Sequence, residues 1–261
     1  MFVLFMGASL LCSCKQVVKK ISKESSGEIV EWTVKKSIKE IAASNKIVKF
    51  LLENFERGIN KNFAEDIIAE VSEEGLELTS RQFPTTKAIL KKKSIIAKAG
   101  STIESGPVNE FLNFLIPNFK YYIDDCFEYE TDRLGRVITA YGDRTKAFNT
   151  LKRNPQRNSA VQSAVIEQMG GTKGVHQSGH LFANSTGGPN ELINQVPMLA
   201  DVNMHGRWRE LELMEEAALK EGKQVFSKRK LLYKGDEMGP YAIEFTSIID
   251  GKAFTEIVKV K

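Results

Sequence analysis

Cysteine is scarce in this chain of 261 residues: only three are present, at positions 12, 14 and 126. Two of them fall inside an apolar start, so neither a disulfide framework nor a cysteine-rich zinc site can be assembled from the rest. The fold must rest on its core. Apolar runs are short as well. The one at the start, Met1 to Cys14, falls below the ~20 residues that a bilayer-spanning helix needs, and the composition excludes disorder, collagen and a multi-span membrane protein. Neither sign of charge dominates, with 37 Lys and Arg against 33 Asp and Glu and a formal charge of +4. That balance permits a nucleic-acid partner without arguing for one. CxxC, HExxH and Walker patterns are missing, as are repeats at solenoid periods. What remains is 42% hydrophobic and 27% charged, enough for one ordinary globular domain plus a smaller second one.

The apolar start is followed at once by Lys15, Lys19 and Lys20 and reads as a secretion signal over residues 1–14. Leu11-Cys12-Ser13-Cys14 resembles a bacterial lipobox. That resemblance implies cleavage before Cys14, a lipid anchor on it, membrane association, and a place in the cell envelope or outside the cell. The alternative is an apolar N-terminal helix packed on the domain.

From 15 to about 115 the pattern is polar and helical. Val30, Val34, Ile38 and Ile41 recur at helical spacing, and Phe63, Ile67 and Val71 repeat it. Breaks fall at Ser25-Ser26-Gly27, Gly75, Phe83-Pro84, Gly100-Ser101-Thr102 and Ser105-Gly106-Pro107. The sequence therefore predicts a helical accessory or spacer region, with Lys91-Lys92-Lys93 as a solvated face.

After Pro117 the character changes. The runs Tyr121 to Tyr129 and Val137 to Tyr141 are rich in β-branched and aromatic residues and read as paired strands, with Leu134-Gly135 as the turn. Gln224 to Tyr233, Tyr241 to Ile249 and Ala253 to Val260 are strand-like, with Asp250-Gly251 as a hairpin signal. Between these regions Trp208 to Lys220 is a helix closed by Gly222, with Trp208, Leu211, Met214 and Ala218 as its apolar stripe. Strands, a single substantial helix, then strands predict an α+β domain over 116–261.

All three histidines fall close together, at His176, His180 and His205. Around them lie Gly187-Gly188-Pro189, Asn190 to Pro197 and Asp201-Val-Asn203-Met-His205-Gly-Arg207-Trp208-Arg209-Glu-Leu-Glu212. An imidazole, carboxamides, a carboxylate and arginines are the groups that metal-assisted phosphodiester hydrolysis uses. The imidazole takes a proton from water, oxygen ligands hold a hard cation, and guanidinium groups neutralise phosphate.

From about Tyr129 onward the chain resembles the DNA/RNA non-specific endonucleases of the ββα-metal, or His-Me finger, class. It is most similar to the branch that includes nuclease toxins of type VII secretion systems. The resemblance rests on Gly179-His180-Leu181, Gly187-Gly188, Asn194-Gln-Val-Pro197, Asn203 and Trp208-Arg-Glu-Leu-Glu212. It implies a ββα-metal domain with antiparallel strands, acting on DNA and/or RNA. His180 would be the general base at the end of a strand facing the helix, and Asn203 the metal ligand. Glu212 would orient metal-bound water, and Asn194 would be a supporting residue. The implied ion is Mg2+ or a similar cation such as Mn2+ or Ca2+, bound mostly through water.

Two departures from the family pattern bear on the site. Gln177-Ser178-Gly179-His180 stands where many members carry Asp-Arg-Gly-His, so the acid and the arginine are both absent. An extra residue also separates Asn203 from Trp208. On one regular helix the nine-residue spacing would put Asn203 and Glu212 on opposite faces. Either the helix begins after Asn203 or the ligand is another residue, with His205 the rival. Asn194 reads equally as a substrate contact or as a loop tie. Arg207, Arg209, Lys228, Arg229 and Lys230 are expected to hold the phosphate backbone without reading bases. The arginine that stabilises the transition state is sought among Arg144, Arg153 and Arg157. Two further readings stay open: a catalytically silent nuclease fold that only binds nucleic acid or a partner, and the same chemistry deployed as a secreted toxin with a cognate immunity protein.

Overall fold

Alternation of inward and outward side chains organises the molecule. In the computed structural model the described residues are 36–37, 67–72, 75–81, 87–100, 108–151 and 159–261. The start with Cys14, and both Arg153 and Arg157, lie outside them. In chain order the elements are β1 (Lys36–Ser37), β2 (Ile67–Val71), β3 (Leu76–Ser80), β4 (Lys87–Lys91), β5 (Ser94–Ala97), β6 (Lys120–Ile123), β7 (Phe127–Thr131) and β8 (Val137–Asp143). They are followed by α1 (Arg144–Thr150), α2 (Ser159–Gln168), β9 (His176–His180), β10 (Gln195–Leu199), α3 (Ala200–Met204), α4 (Arg207–Lys220), β11 (Val225–Leu232), β12 (Ala242–Ile249) and β13 (Lys252–Lys259). Among the described residues no helix is long and apolar enough to cross a membrane.

Eleven of these strands form one sheet in the order β1-β2-β3-β4-β5-β6-β7-β8-β11-β12-β13, and β9 and β10 form a separate two-stranded ribbon. Neighbours in the large sheet are antiparallel except β5 and β6. Strands β8 and β11 are adjacent in the sheet although the chain between them holds α1, α2, the ribbon, α3 and α4. That excursion carries every candidate residue of the histidine region. The α+β class follows directly from this arrangement.

The helical reading of the N-terminal region is corrected where the residues are described, since Ile67–Val71, Leu76–Ser80, Lys87–Lys91 and Ser94–Ala97 are strands β2 to β5. Ile67 and Ala69 are buried and alternate with half-buried Ile68 and Glu70. A spacing of four, as between Ile67 and Val71, is even and so belongs to a strand as readily as to a helix. Of the Val30 to Ile41 stripe only Lys36 and Ser37 are described, and they pair with β2. Because β5 pairs with β6, these strands extend the sheet of the C-terminal half.

Two smaller corrections concern the C-terminal half. The run Tyr121 to Tyr129 is a hairpin in itself, turned at Asp124 and Asp125, which both adopt positive φ of 56° and 54°. Aspartate tolerates that conformation better than most side chains do. The domain also holds α2, a helix of ten residues that packs on β9 and β10, in addition to the Trp208 helix. The strands after α4 lie where the sequence places them, as do the Asp250-Gly251 turn between β12 and β13 and the closure of α4 at Gly222, whereas α1, β10 and α3 are further elements that the sequence pattern does not announce.

The core between α4 and the sheet is aromatic. Trp208 is wholly buried and meets Phe245 of β12 edge-on at 5.6 Å, while Phe182 stacks on Phe127 at 5.3 Å. Burying several such rings stabilises the domain by roughly 2 kcal/mol each. It also fixes α4 against the segment that follows β9.

Candidate active site

His180 is the last residue of β9 and pairs with Gln195, the first of β10. Its backbone carbonyl accepts a hydrogen bond from Trp208 Nε1 at 3.1 Å, which ties the end of the strand to the first turn of α4. The Nε2 atom of its ring lies 3.2 Å from Asn190 Oδ1. A carboxamide oxygen only accepts, and the tautomer in which Nε2 donates to it is the one that leaves the basic lone pair on Nδ1. Asn190 is buried, and its carbonyl accepts from the side-chain amide of Gln195, whose Oε1 accepts from Ser178 Oγ. Asn190 and Gln195 orient the imidazole, and sequence reasoning assigned neither of them a role. The only cue was their place beside Pro189 and Asn194.

Gly179 explains how α3 approaches this strand. A Cβ there would stand 2.4 Å from Met198 Sδ and 2.9 Å from Asn203 Oδ1, so the glycine lets both side chains lie close on the strand without displacement. Asn203 Nδ2 also points at Gln177 Oε1, at 3.5 Å. The contact turns the carboxamide so that Oδ1 is the atom left toward Gly179. Gln177 therefore supplies an acceptor where many family members have a carboxylate.

The spacing problem is resolved by a break in the helix. Asn203 belongs to α3, which ends at Met204 with His205 as its cap, and α4 begins after Gly206. Asn203 and Glu212 thus sit on separate helices, and the opposite-face objection no longer applies. His205 is exposed at the turn between them.

Glu212 is nearly buried, with 11% of its side chain exposed, and accepts from Arg209 Nη1 at 3.2 Å. Desolvation raises its pKa above the usual carboxylate value, although Arg209 pulls the other way. Arg207 is exposed and engaged with Glu256 and Glu210. Its hydrogen bonds to Glu256 hold its pKa above the ordinary value. Lys228 lies over the Tyr141 ring at 5.4 Å on the open face of the sheet.

Three expected ligand-facing residues are buried instead. Asn194 is wholly buried and uses its whole carboxamide internally. Its Oδ1 accepts from Tyr129 and from Phe182 N, both at 3.0 Å, and its Nδ2 donates to Phe182 O at 2.9 Å and Pro189 O at 2.8 Å. Substrate contact would require breaking this set, each bond being worth about 1 kcal/mol net and more if a partner is stranded. Asn194 ties the loop after His180. Arg229, expected on the phosphate-binding face, is 1% exposed. It lies on the inward side of β11 with Val225, Ser227 and Leu231. Its guanidinium forks onto Glu215 of α4, with Nη2 3.0 Å from both carboxylate oxygens, and sits 3.4 Å from the centre of the Phe245 ring. Arg144 is wholly buried beside it, bonded to Thr186 Oγ1, with Nε 4.0 Å from Glu215 Oε2. Burial lowers its pKa to about 10. It has no exposed atom with which to meet a phosphate.

Gly188 completes the loop. A Cβ there would collide with Phe182 O at 1.9 Å, so the Gly187-Gly188 pair folds the chain back on the strand end and delivers Asn190 to His180. The Met198 thioether lies closest to Gly179, and the oxygen donors on these elements are Asn203 Oδ1 beside it, Gln177 Oε1 facing the Asn203 amide, and the Glu212 carboxylate on α4. Among the described residues no three His, Cys, Asp or Glu side chains converge. These groups fit a hard divalent cation that keeps most of its water, and they do not fit a closed thiolate or imidazole cage.

A search of the curated proteins finds no match. Among solved structures the chain is similar to one described as Sda1 nuclease with bound zinc ion, at 18% identity and a TM-score of 0.39, over 51% of this chain and 72% of that one. The family profile described as DNA/RNA non-specific endonuclease matches residues 117–251, just over half of the chain and all of the residues that build the site. The chain belongs to the DNA/RNA non-specific endonuclease family.

Proposed function

We propose that the protein hydrolyses phosphodiester bonds of DNA and/or RNA with His180 as general base and a divalent cation, Mg2+ or a similar ion, at Asn203. The observation that carries this reading is the hydrogen bond from Trp208 Nε1 to His180 O at 3.1 Å, which ties the strand end that bears the imidazole to the first turn of α4, the helix of Glu212. Asn203, on the short helix before it, packs its Oδ1 beside Gly179 of the same strand. The three groups are thereby carried by elements that meet at the end of β9.

In this mechanism His180 takes a proton from water at Nδ1 while Asn190 holds Nε2. The water attacks phosphorus in line with the departing 3′ oxygen. Asn203, supported by Gln177, would hold the cation, and Glu212 would orient water bound to it. The cation, when bound, supplies charge neutralisation for the phosphate and the leaving oxygen. Buried Glu212 has few protein donors, with Arg209 at one oxygen, which suits a carboxylate that works through water. The arginine for the transition state is proposed to be Arg153 or Arg157, with Arg207 and Arg209 as backbone contacts on the edge of α4. His205 stands by the same turn as a phosphate contact.

Gln177 in place of an acid motivated the silent-binding alternative. Its contact to Asn203 Nδ2 favours activity, since a carboxamide oxygen accepts that bond as a carboxylate would. The test is digestion of plasmid DNA and of total RNA by the full chain, with Mg2+ and with chelator. Degradation of at least one substrate, stopped by chelator, is expected, and the comparison of the two sets the breadth. Retained nucleic-acid binding without cleavage would overturn the proposal and leave a binding module.

A further inference from the structure

From the last residue of β9 onward four successive carbonyls are held by buried side-chain donors. Trp208 Nε1 holds His180 O at 3.1 Å, Arg229 Nε holds Leu181 O at 3.1 Å, Asn194 Nδ2 holds Phe182 O at 2.9 Å, and Arg144 Nη2 reaches Ala183 O at 3.4 Å. Two of these four donors are guanidinium groups in an aromatic core, and they share one buried carboxylate, Glu215.

A buried ion pair is a costly way to stabilise a fold, since desolvation consumes most of the Coulombic gain and apolar replacements often serve as well. What the charges add here is direction. Glu215 fixes the guanidinium of Arg229 with two bonds to Nη2, Ser227 Oγ steadies Glu215 Oε1 at 2.7 Å, and Arg229 Nη1 binds Lys228 O and Thr246 O at 3.1 Å. The remaining donor, Nε, is aimed at the residue after His180. Phe245 and Phe182 cover the faces of the group and exclude water. The ladder that would normally hold a strand's carbonyls ends at His180, and this cluster replaces it.

We infer that the buried Arg229–Glu215 pair, with Arg144 beside it, is a positioning unit for the nuclease reaction, fixing the backbone from His180 to Ala183 and through it the His180 imidazole. The inference rests on the reading of His180 as the base, so one arm of its test does not depend on activity. Full-length Arg229→Met and Arg229→Lys are compared with wild type by steady-state cleavage of a DNA duplex and by the imidazole NMR signals of the three histidines. Arg229→Met keeps its folded spectrum, loses about 10- to 100-fold in kcat with KM changed less than about threefold, and shifts or broadens the His180 signal while His176 and His205 stay in place. Arg229→Lys, which can still donate to Leu181 O, recovers part of kcat. If Arg229→Met does not fold, Glu215→Gln, which keeps the volume and weakens the anchor, shows the same selective loss in smaller measure. Wild-type kcat with an unmoved His180 signal in a folded variant would overturn the inference. A moved signal with unchanged kcat would leave the positioning intact and instead count against His180 as the base, a failure that His180→Ala detects separately.

Discussion

His180→Ala lowers the turnover of the nuclease by about 10²- to 10⁴-fold, the range that loss of a positioned general base produces. This corresponds to about 3 to 5 kcal/mol of transition-state stabilisation. The fold is expected to survive, because what β9 contributes to the core is the His180 carbonyl bound to Trp208 and the chain beyond it, neither of which needs the imidazole. Thermal melting of the variant should stay within a few degrees of wild type. KM should change little, since the base acts on water and contributes little to substrate binding. His180→Gln is the sharper control, because it keeps a polar group of similar reach without a basic nitrogen, and it should be as inactive as the alanine variant. Wild-type cleavage by either variant would remove His180 from the chemistry.

Asn203→Ala removes the carboxamide oxygen that packs beside Gly179 of the histidine strand. The concentration of Mg2+ needed for half-maximal cleavage is expected to rise at least 10- to 100-fold, since even partners behind the ligands are worth that much. Asn203→Asp keeps an oxygen donor, adds charge, and should retain much of the metal response. Calorimetric titration of Mg2+ into the three proteins separates binding from turnover. Identical Mg2+ dependence in wild type and Asn203→Ala would place the ligand elsewhere, with exposed His205 at the turn after α3 as the first candidate.

Much of the C-terminal half was legible because its strands alternate and its turns use residues with one structural meaning. Asp250-Gly251 and the capped Trp208 helix are of this kind. The N-terminal pattern misled because Ile67 and Val71 satisfy helix and strand periods alike, and only pairing with β3 decides between them. The break between α3 and α4 was visible as a contradiction in spacing, and Gly206 was its local cause. Arg229 failed for a different reason. Ser-Lys-Arg-Lys reads as a basic surface patch, yet parity with Val225 and Leu231 turns the arginine inward, where Glu215 interrupts the apolar stripe of α4 to meet it. A carboxylate on the buried face of one element and an arginine on the buried face of another are each anomalous alone, and only the fold shows them as a pair. Asn190 was equally hidden, because its link to His180 depends on a loop fold enforced by the Phe182 carbonyl against Gly188.

The central claim is that the His180 imidazole takes the proton, and chemical rescue tests it most directly. Single-turnover cleavage of plasmid DNA by His180→Ala is followed in Mg2+ with increasing free imidazole. The account predicts a negligible starting rate that rises with the unprotonated imidazole concentration and falls to nothing with chelator. A variant that cuts at the wild-type rate without imidazole, or whose residual rate ignores it, would contradict the account.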